Sequence, residues 1–449
     1  MTTRQDGGTI GEIGPGDIDL SDLRFWGRPL DERAAAFAAL RARGAPAFFA
    51  DPPVPFTGRG GGYWALVSHA DVTEASRNPQ IFSSEPNATT VIDSPGFLDR
   101  YVNSMINMDD PRHAKIRRVV SRAFSPRMLA KTEDDIAARA TRIVDELIAA
   151  RAALPDGRPL DFVANAAVRL PVEVICDMLG IPERLHPRVV RLTNIVLGNS
   201  DPEYTGITPD MGRVRTGLGL AKVALASRDL HRLAVRLGKE RAAEPTGDLT
   251  SALVNAEVGA GGETGGDGEK LSTREFGTFF LLLVVAGNET TRTAIAHGLQ
   301  LLTDNPAQRE LLLEDFDGRI GGAVEEIVRY STPVICFRRN LTRDHVMNGH
   351  AYRAGDKVML FYNSANRDET VFTDPDAFDI TRSPNPHVGF GGPGPHFCLG
   401  ANLARREITV MFRELLTRLP DLRAAGEPDR LMSSFINGYK RLPCTFTAP

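Results

Sequence analysis

One cysteine of this chain lies on a loop of unusual composition. The segment FGGPGPHFCLG, residues 390–400, holds four glycines, two prolines, one histidine and Cys398. The residues that follow have apolar side chains at helical spacing, which places the sulfur at the amino end of a helix. Unpaired backbone N–H groups and the helix dipole stabilise an anion at such a position. The loop can therefore hold a metal-bound thiolate or a nucleophile, although a tight turn around a buried cysteine would read the same way.

A long helix is predicted before this loop. STREF opens it with Ser272 and Glu275 at capping-box spacing, and the helical pattern continues as far as Pro306. About thirty residues at about 1.5 Å each give a rod of roughly 45 Å. The middle of the rod, FFLLLVVAG, is apolar on every side, so we expect it to be buried.

Polar residues interrupt this apolar helix at AGNETT. Ala286 and Gly287 carry little side-chain bulk and leave room for a ligand, while Glu289 and Thr290 add an acid and an alcohol. A buried glutamate is costly unless it has a partner or a function. A threonine within a helix can simply bond the carbonyl four residues back, so the sequence alone leaves both interpretations of Thr290 open.

The pattern Phe-Gly-Gly-x-Gly-x-His-x-Cys-x-Gly resembles the haem-binding loop of the cytochrome P-450 superfamily. The resemblance implies that Cys398 is the axial thiolate ligand of haem b, that His396 contacts a haem propionate and that Phe390 packs beside the sulfur. Pro393 and Pro395 stiffen the loop but leave every motif position intact. It also implies the family fold, mainly α with a minor β part, with the haem between the long helix and the cysteine loop.

Two further motifs are similar to segments that contact haem propionates in this family. In DDPRHAKIRR, His113 and Arg117 lie one helical turn apart on one face. In FRRNLTRD, the spacing to Asp344 favours Arg339 over Arg338 as a further propionate partner.

EEIVRY and DPDAFDITR resemble a structural network of the same family. Glu326 and Arg329 share a helix face, and Arg382 is the candidate third member. From spacing alone, this pair could be a solvated salt bridge worth under about 1 kcal/mol. By resemblance it locks the core beneath the haem, so we assign it a structural role.

AGNETT resembles the oxygen-activation groove of the superfamily. Ala286 and Gly287 would border the haem, Thr290 would hydrogen-bond the oxygen species activated there, and Glu289 would relay protons from solvent. Because relatives that use peroxide directly tend to lack the acid–alcohol pair, we expect oxygen-dependent monooxygenation.

The expected substrate is hydrophobic. INMDDPRHAKIRR, LGNSDPEYTG, AGNETTRTAIAHG and TPVICFRRN together resemble a bacterial branch that hydroxylates terminal methyl groups of sterol side chains and methyl-branched lipids. We therefore expect terminal (omega) hydroxylation of a methyl-branched lipid or isoprenoid, with a steroid side chain as the alternative. The stretch Leu197–Gly206 would lie where lid helices meet. Apolar stripes are more often plain core, but the pocket candidates are Ile106, Leu282, Val285, Ala286, Val334, Ile335 and Ile436.

The resemblance covers nearly the whole chain of 449 residues and implies one haem-thiolate domain, residues 21–449, after a polar segment, residues 1–20, that could be disordered. Val258–Lys270 is Gly-rich and indicates a flexible connector. The other predicted elements are helical at Lys131–Ala150, Asp161–Leu179 and Arg213–Arg241 and strand-like at Trp64–Ser68, Val334–Leu341 and Lys357–Tyr362.

Composition sets few limits on function. A net charge of −4 gives no basic excess of the kind that favours nucleic-acid binding. The amino terminus lacks a signal-peptide pattern, and the longest apolar run, Phe279–Ala286, is far shorter than a membrane span. We therefore expect a cytoplasmic protein without a membrane anchor. Cys176, Cys336 and Cys444 are scattered and form no zinc or disulfide pattern, so we assign them to packing.

No segment resembles a flavin, iron–sulfur or dinucleotide-binding module. Electrons from NAD(P)H must therefore arrive through partner proteins, which we expect to be a ferredoxin and its reductase. Basic residues that would attract an acidic ferredoxin, or would be ordinary solvated charge, are Lys115, Arg118, Arg122, Arg405 and Arg406.

Two interpretations from other classes remain at this point. A hydrolase could pair Cys398 with His396, although two residues of separation on a tight turn is a poor geometry for that pairing. A non-catalytic haem carrier or sensor would have no need of Glu289 and Thr290.

Overall fold

The computed structural model describes residues 18–52, 61–92, 104–121, 124, 133–154, 158–198, 200–208, 213–255, 257–258 and 269–447. The helices in this part of the chain are α1 (Leu23–Trp26), α2 (Leu30–Ala42), α3 (His69–Arg77), α4 (Arg112–Ser121), α5 (Glu133–Ala152), α6 (Arg169–Met178), α7 (His186–Leu197), α8 (Pro202–Thr205), α9 (Arg213–Ala243), α10 (Leu249–Asn255), α11 (Thr273–Asp304), α12 (Pro306–Glu314), α13 (Phe316–Ser331), α14 (Tyr362–Ala365) and α15 (Ala401–Arg418).

The strands are short. They are β1 (Ala47–Phe49), β2 (Tyr63–Leu66), β3 (Phe82–Ser83), β4 (Leu160–Asp161), β5 (Glu257–Val258), β6 (Glu269–Lys270), β7 (Cys336–Leu341), β8 (His345–Met347), β9 (His350–Tyr352), β10 (Lys357–Phe361), β11 (Arg423–Ala424), β12 (Asp429–Arg430), β13 (Tyr439–Arg441) and β14 (Pro443–Thr445).

Helix α11 is the axis of the helical part. It begins at the predicted capping box, since the Ser272 side chain accepts from the Glu275 backbone N–H and the Glu275 carboxylate accepts from the Ser272 N–H. It ends at Asp304, and Pro306 starts the next helix. Helices α6, α9, α13 and α15 pack around it. Most of the apolar middle is buried as expected, whereas Leu282 and Val285 are half-buried and Ala286 is exposed.

The main sheet has the order β1-β2-β10-β7-β3. Strands β2 and β10 run parallel, with Trp64 opposite Val358, and the other pairs are antiparallel. An aromatic cluster that includes Trp26, Phe37 and Phe361 covers one face of this sheet near the amino terminus. The prediction of a mainly helical protein with a minor sheet part is confirmed.

Two element predictions need correction. Asp161–Leu179 is not one helix, because β4 pairs with β14, residues 163–167 form a π-helical turn and α6 begins only at Arg169. The Asp161 carboxylate accepts from the backbone N–H groups of Val163 and Leu442, which fixes this break. Ile18 and Leu20, which we assigned to the leading polar segment, are buried in the core. Most of the predicted connector, residues 259–268, lies outside the described residues, and its two ends pair as β5 and β6.

Candidate functional site

The Cys398 loop is closed by backbone hydrogen bonds. The Cys398 N–H donates to the Phe390 carbonyl oxygen at 2.9 Å, and the Phe397 N–H donates to the Gly394 carbonyl oxygen at 3.2 Å. Gly394 has φ of +153°, and a Cβ there would lie 2.2 Å from the backbone oxygen of Ser76. Only glycine fits this approach of the loop to α3.

The thiol of Cys398 is exposed within a closely packed loop. Its side chain is exposed, although protein surrounds the residue closely enough to raise the pKa of the thiol. The backbone N–H of Gly400 and the guanidinium groups of Arg117 and Arg405 oppose this shift and favour the thiolate. The sulfur is thus accessible and lies next to groups that stabilise its anion.

Basic side chains converge near Cys398. The His113 and His396 rings lie 4.2 Å apart, and Arg117 donates to the Phe397 carbonyl oxygen at 2.6 Å. Burial, together with the charges of Arg339, His113 and Arg117, lowers the pKa of His396 to about 2. His113 is 1% exposed, and its Nε2 is buried without a hydrogen-bond partner. This arrangement calls for an anionic group that accepts hydrogen bonds.

The two adjacent arginines of β7 have different surroundings. Arg339 is buried, and the nearby Asp109 carboxylate is one of its charged neighbours. Arg338 bonds Asn340 and the carbonyl oxygen of Val91 instead. Because successive strand residues point to opposite faces, only one of the two can face the basic cluster, and Arg339 is the residue that acts on His396.

One turn of helix α11 is less buried than the rest of the helix. Ala286 is exposed, and Leu282, Val285 and Thr290 are half-buried, although most residues of this helix are buried. Thr290 Oγ1 donates to the Ala286 carbonyl oxygen at 2.8 Å, the bond that any mid-helix threonine can make. A Cβ at Gly287 would lie 3.1 Å from Ile175 of α6. Glycine at this position therefore allows α6 and α11 to pack closely, in addition to leaving room for a ligand.

Glu289 is 1% exposed and forms an ion pair with Arg292, one turn further along α11. Burial raises the pKa of Glu289, while Arg292 lowers it. The second carboxylate oxygen, Oε2, has no hydrogen-bond partner. Our sequence analysis missed Arg292, although its i,i+3 spacing from Glu289 was the available signal.

The pocket candidates from other elements separate into two groups. Val334 and Ile436 pair across an antiparallel bridge, and Ile106 is half-buried in a turn of 3₁₀ helix, Met105–Asn107. Ile335 is 2% exposed and packs in the amino-terminal aromatic cluster, with Trp26 among its members. Ile335 is therefore a core residue, whereas Val334 is half-buried. Ile436, 1% exposed, is buried as well.

The Glu326–Arg329 pair is fully buried and fully bonded. Arg329 donates to both Glu326 oxygens at 2.7 and 2.8 Å and to the carbonyl oxygens of Asn366, Pro375 and Ala377. Arg382 Nε lies 3.3 Å from the same carboxylate. The three residues predicted as a network are therefore in direct contact.

Two of the predicted surface cations are already paired. Arg405 makes a bidentate contact with Glu325 and lies over the Phe390 ring, and Arg406 contacts Glu133. Lys115 and Arg118 are exposed on α4, whereas Arg122 lies outside the described residues.

The remaining cysteines are core residues. Cys176, Cys336 and Cys444 are all buried, and burial raises the pKa of each thiol, to about 12 for Cys336 and Cys444. No helix in the described part of the chain combines the length and apolarity needed to cross a membrane.

A family model described as cytochrome P450 matches residues 65–420. The chain belongs to the cytochrome P450 family. Over 447 residues, covering 100% of this chain and 99% of the relative, it is 46% identical to a methyl-branched lipid omega-hydroxylase of Mycobacterium tuberculosis. It is also 37% identical to a steroid C26-monooxygenase of Mycolicibacterium smegmatis, covering 96% of this chain and 94% of that protein.

Solved structures agree with this assignment. A Mycobacterium marinum cytochrome P450 in complex with pseudoionone matches with a TM-score of 0.85 and 41% identity, covering 99% of this chain and all of that chain. The family carries haem whose iron is held by a cysteine thiolate. This P450 has matching features: an exposed thiol at Cys398, an unpartnered His113 Nε2 in a cluster with Arg117 and Arg339, and an exposed Ala286 on the otherwise buried α11.

Proposed function

We propose that this cytochrome P450 is a monooxygenase that hydroxylates the terminal carbon of a methyl-branched lipid or isoprenoid chain. The observation that carries the proposal is the opening of α11, where apolar Leu282, Val285 and Ala286 adjoin the polar turn of Glu289 and Thr290. An apolar chain end can lie against the first three residues while oxygen chemistry takes place beside the last two. The relative named methyl-branched lipid omega-hydroxylase, 46% identical over its full length, supports the same substrate class.

The overall reaction consumes the substrate, O₂, two electrons and two protons, and yields an alcohol and water. Haem b, when bound, supplies the chemistry that splits dioxygen and inserts one atom into the C–H bond. Cys398 would hold its iron, and His113, Arg117, Arg339 and His396 would bind its propionates.

The protons require a route through a largely apolar helix. Thr290 can turn its hydroxyl away from the Ala286 carbonyl and present its proton to the place where dioxygen would be activated, because hydroxyl rotors are free to reorient. Glu289 can take a proton at its unpartnered Oε2 and pass it toward Thr290.

Electrons would come from NAD(P)H through a ferredoxin reductase and a ferredoxin, in the cytoplasm where that donor is available. Exposed Lys115 and Arg118 offer a site for an acidic ferredoxin. Charge reversal of both residues should slow reduction and leave the carbon monoxide spectrum unchanged. An unchanged reduction rate would refute this docking site.

The substrate proposal is tested by titrating the ferric protein with candidate lipids while following the Soret band. Methyl-branched fatty acids and alcohols should displace the distal water and shift the iron toward high spin at lower concentration than linear fatty acids. A response to cholestenone alone would favour the steroid side chain, the activity named for the 37% identical relative. If neither the methyl-branched lipids nor cholestenone shifted the Soret band, the proposed substrate class would be refuted.

Two other classes receive less support. A cysteine–histidine hydrolase would need His396 to face the Cys398 sulfur, yet its Nε2 lies 3.0 Å from Ser84 Oγ and its ring packs on His113. A non-catalytic haem sensor would bind haem but form no oxidised product when supplied with a redox partner.

A further inference from the structure

Buried polar atoms without partners are concentrated on one segment of α11. They are Asn288 Oδ1, Glu289 Oε2, Arg292 Nε and Thr293 Oγ1, which lie within six consecutive residues. Buried polar atoms usually bond to protein or ordered water, so this segment borders a small polar space rather than dry core. Gly438 of the carboxyl-terminal loop lies beside this segment, since a Cβ there would be in ordinary van der Waals contact with Glu289 Oε1 at 3.6 Å and with Thr293 Oγ1 at 3.4 Å.

Two contacts tie this segment to α7. Arg292 Nη1 donates to Asn194 Oδ1 at 2.9 Å, and Asn288 Nδ2 lies 3.3 Å from Thr193 Oγ1. Thr193 and Asn194 lie in the last two turns of α7, just before the stretch Leu197–Gly206, which contains α8. The guanidinium of Arg292 therefore contacts both the Glu289 carboxylate and a different helix.

We propose that Arg292 is a positioning residue that holds the Glu289 carboxylate through Oε1, leaves Oε2 free for a proton, and makes this placement depend on α7 through Asn194. The inference rests on the proposed function and adds the control of its proton supply. An arginine suits the role because its planar fork can serve two acceptors at once. A buried carboxylate without this partner would bind a proton and cease to be an ionised acceptor.

Among the described residues, the charge that acts on Glu289 is that of Arg292 on the same helix. Tyr204 of α8, whose ring packs against Gly198, is a neutral neighbour, because burial and then the Glu289 charge raise the pKa of its phenol. Removal of Arg292 therefore takes away the cation that these residues provide for the ionised acid.

The test compares Arg292→Gln with Arg292→Lys and the double variant Glu289→Gln/Arg292→Gln. In R292Q, the infrared spectrum of the ferric, substrate-free protein at neutral pH should gain a protonated-carboxyl band that is absent from the double variant. R292K keeps a cation and should lack the band. Product formed per electron consumed should fall by about tenfold in R292Q, because general acid–base transfer at this position is impaired.

Controls separate this role from simple destabilisation. Arg319→Gln removes an arginine that bonds the Leu311 carbonyl oxygen and Glu314, away from α11, and should change neither readout. Asn194→Leu keeps the ion pair and removes the tie to α7, so it should lower product per electron without adding the carboxyl band. In every variant an unchanged carbon monoxide spectrum shows that the haem site is intact.

No carboxyl band and unchanged product per electron in R292Q would overturn the proposal. Unchanged product per electron in N194L would overturn the link to α7. If R292Q fails to retain haem, R292K and N194L still decide the matter, since a carboxyl band in R292K would contradict the role of the cation and wild-type product per electron in N194L would contradict the link to α7. The infrared result needs no substrate, so it is distinguishable from a failure of the proposed lipid hydroxylation.

Discussion

The backbone N–H of Cys398 donates to the carbonyl oxygen of Phe390 at 2.9 Å, so the first and ninth residues of the haem-loop motif are joined directly. This bond folds the loop back on itself, and the Cys398 side chain stays exposed. The closed loop is pressed against α3 at Ser76, where Gly392 and Gly394 allow contact.

The contact at Ser76 predicts which glycine of the loop is essential. In Gly394→Ala, the new Cβ would meet the Ser76 carbonyl oxygen at 2.2 Å, and φ of +153° is strained for alanine. We expect a cost of about 1–3 kcal/mol and a clear loss of bound haem. Gly400→Ala is the matched control, because no atom lies within 4 Å of its added Cβ. Haem content per protein, measured by absorbance, distinguishes the two, and equal values would contradict this view of the loop.

The buried Glu326–Arg329 pair predicts a large effect on stability. Arg329→Met should lower the free energy of unfolding by about 3–5 kcal/mol, since it leaves the Glu326 carboxylate buried without its main partner. Arg413→Met, which breaks the exposed pair with Asp317, should cost about 1 kcal/mol or less. Urea unfolding followed by circular dichroism measures both. Equal losses in the free energy of unfolding for the two variants would contradict the structural role of the buried network.

His297 predicts a pH dependence of stability. Its ring stacks on Tyr439 at 3.9 Å, and its Nε2 lies 2.7 Å from the Asn437 carbonyl oxygen. Burial, aided by nearby arginines, lowers the pKa of His297 from 6.5 to about 3. Below pH 6.5 the unfolded chain therefore binds a proton that the folded protein does not, so stability falls as the pH decreases between these two values.

The effect is large enough to measure under mild conditions. Between about pH 7.5 and about pH 5.5, this residue should remove about 1.4 kcal/mol from the free energy of unfolding. His297→Gln should lack that component, although it starts from a lower stability. A wild-type protein and a variant with parallel pH profiles would contradict the assignment.

Lys440 predicts a link between the carboxyl-terminal strands and the segment after α7. Its Nζ lies 3.4 Å from Asp201, 3.1 Å from Glu203 and 3.4 Å from Asp429. Asp201 is 1% exposed and also accepts from the Met432 N–H. In Lys440→Met, we expect about 1–3 kcal/mol less local stability, because a buried carboxylate loses its cation.

Hydrogen exchange followed by mass spectrometry should detect this loss as faster exchange in residues 201–206, with β7 and β10 unchanged. Arg188→Met is the control, since it breaks a half-exposed ion pair between Arg188, near the start of α7, and Asp229 of α9. Unaltered exchange in residues 201–206 of K440M would show that Lys440 does not hold α8 in place.

The sequence predicted the features that depend on local chemistry. The capping box of α11 uses residues three apart, so Ser272 and Glu275 were sufficient to place its start. The haem loop was readable for the same reason, since its glycines, histidine and cysteine are consecutive. The membership of the P450 family that these motifs implied is confirmed.

The features that depend on distant partners were not readable. The break at Asp161 requires β14, which is about 280 residues further along the chain. Val334 and Ile335 are adjacent apolar residues that the sequence does not distinguish, and only the packed fold assigns Ile335 to the core. In the same way, the role of Arg292 depends on Asn194 of another helix.

The central claim is that this P450 inserts an oxygen atom from O₂ at the terminal carbon of a branched lipid. The most direct measurement supplies the purified protein with a ferredoxin, its reductase, NADPH and ¹⁸O₂, together with a methyl-branched fatty acid, and locates the label by mass spectrometry. The account predicts one ¹⁸O atom in a hydroxyl group on the terminal carbon. Labelled product at internal carbons, or no labelled product while NADPH reduces the haem, would contradict it.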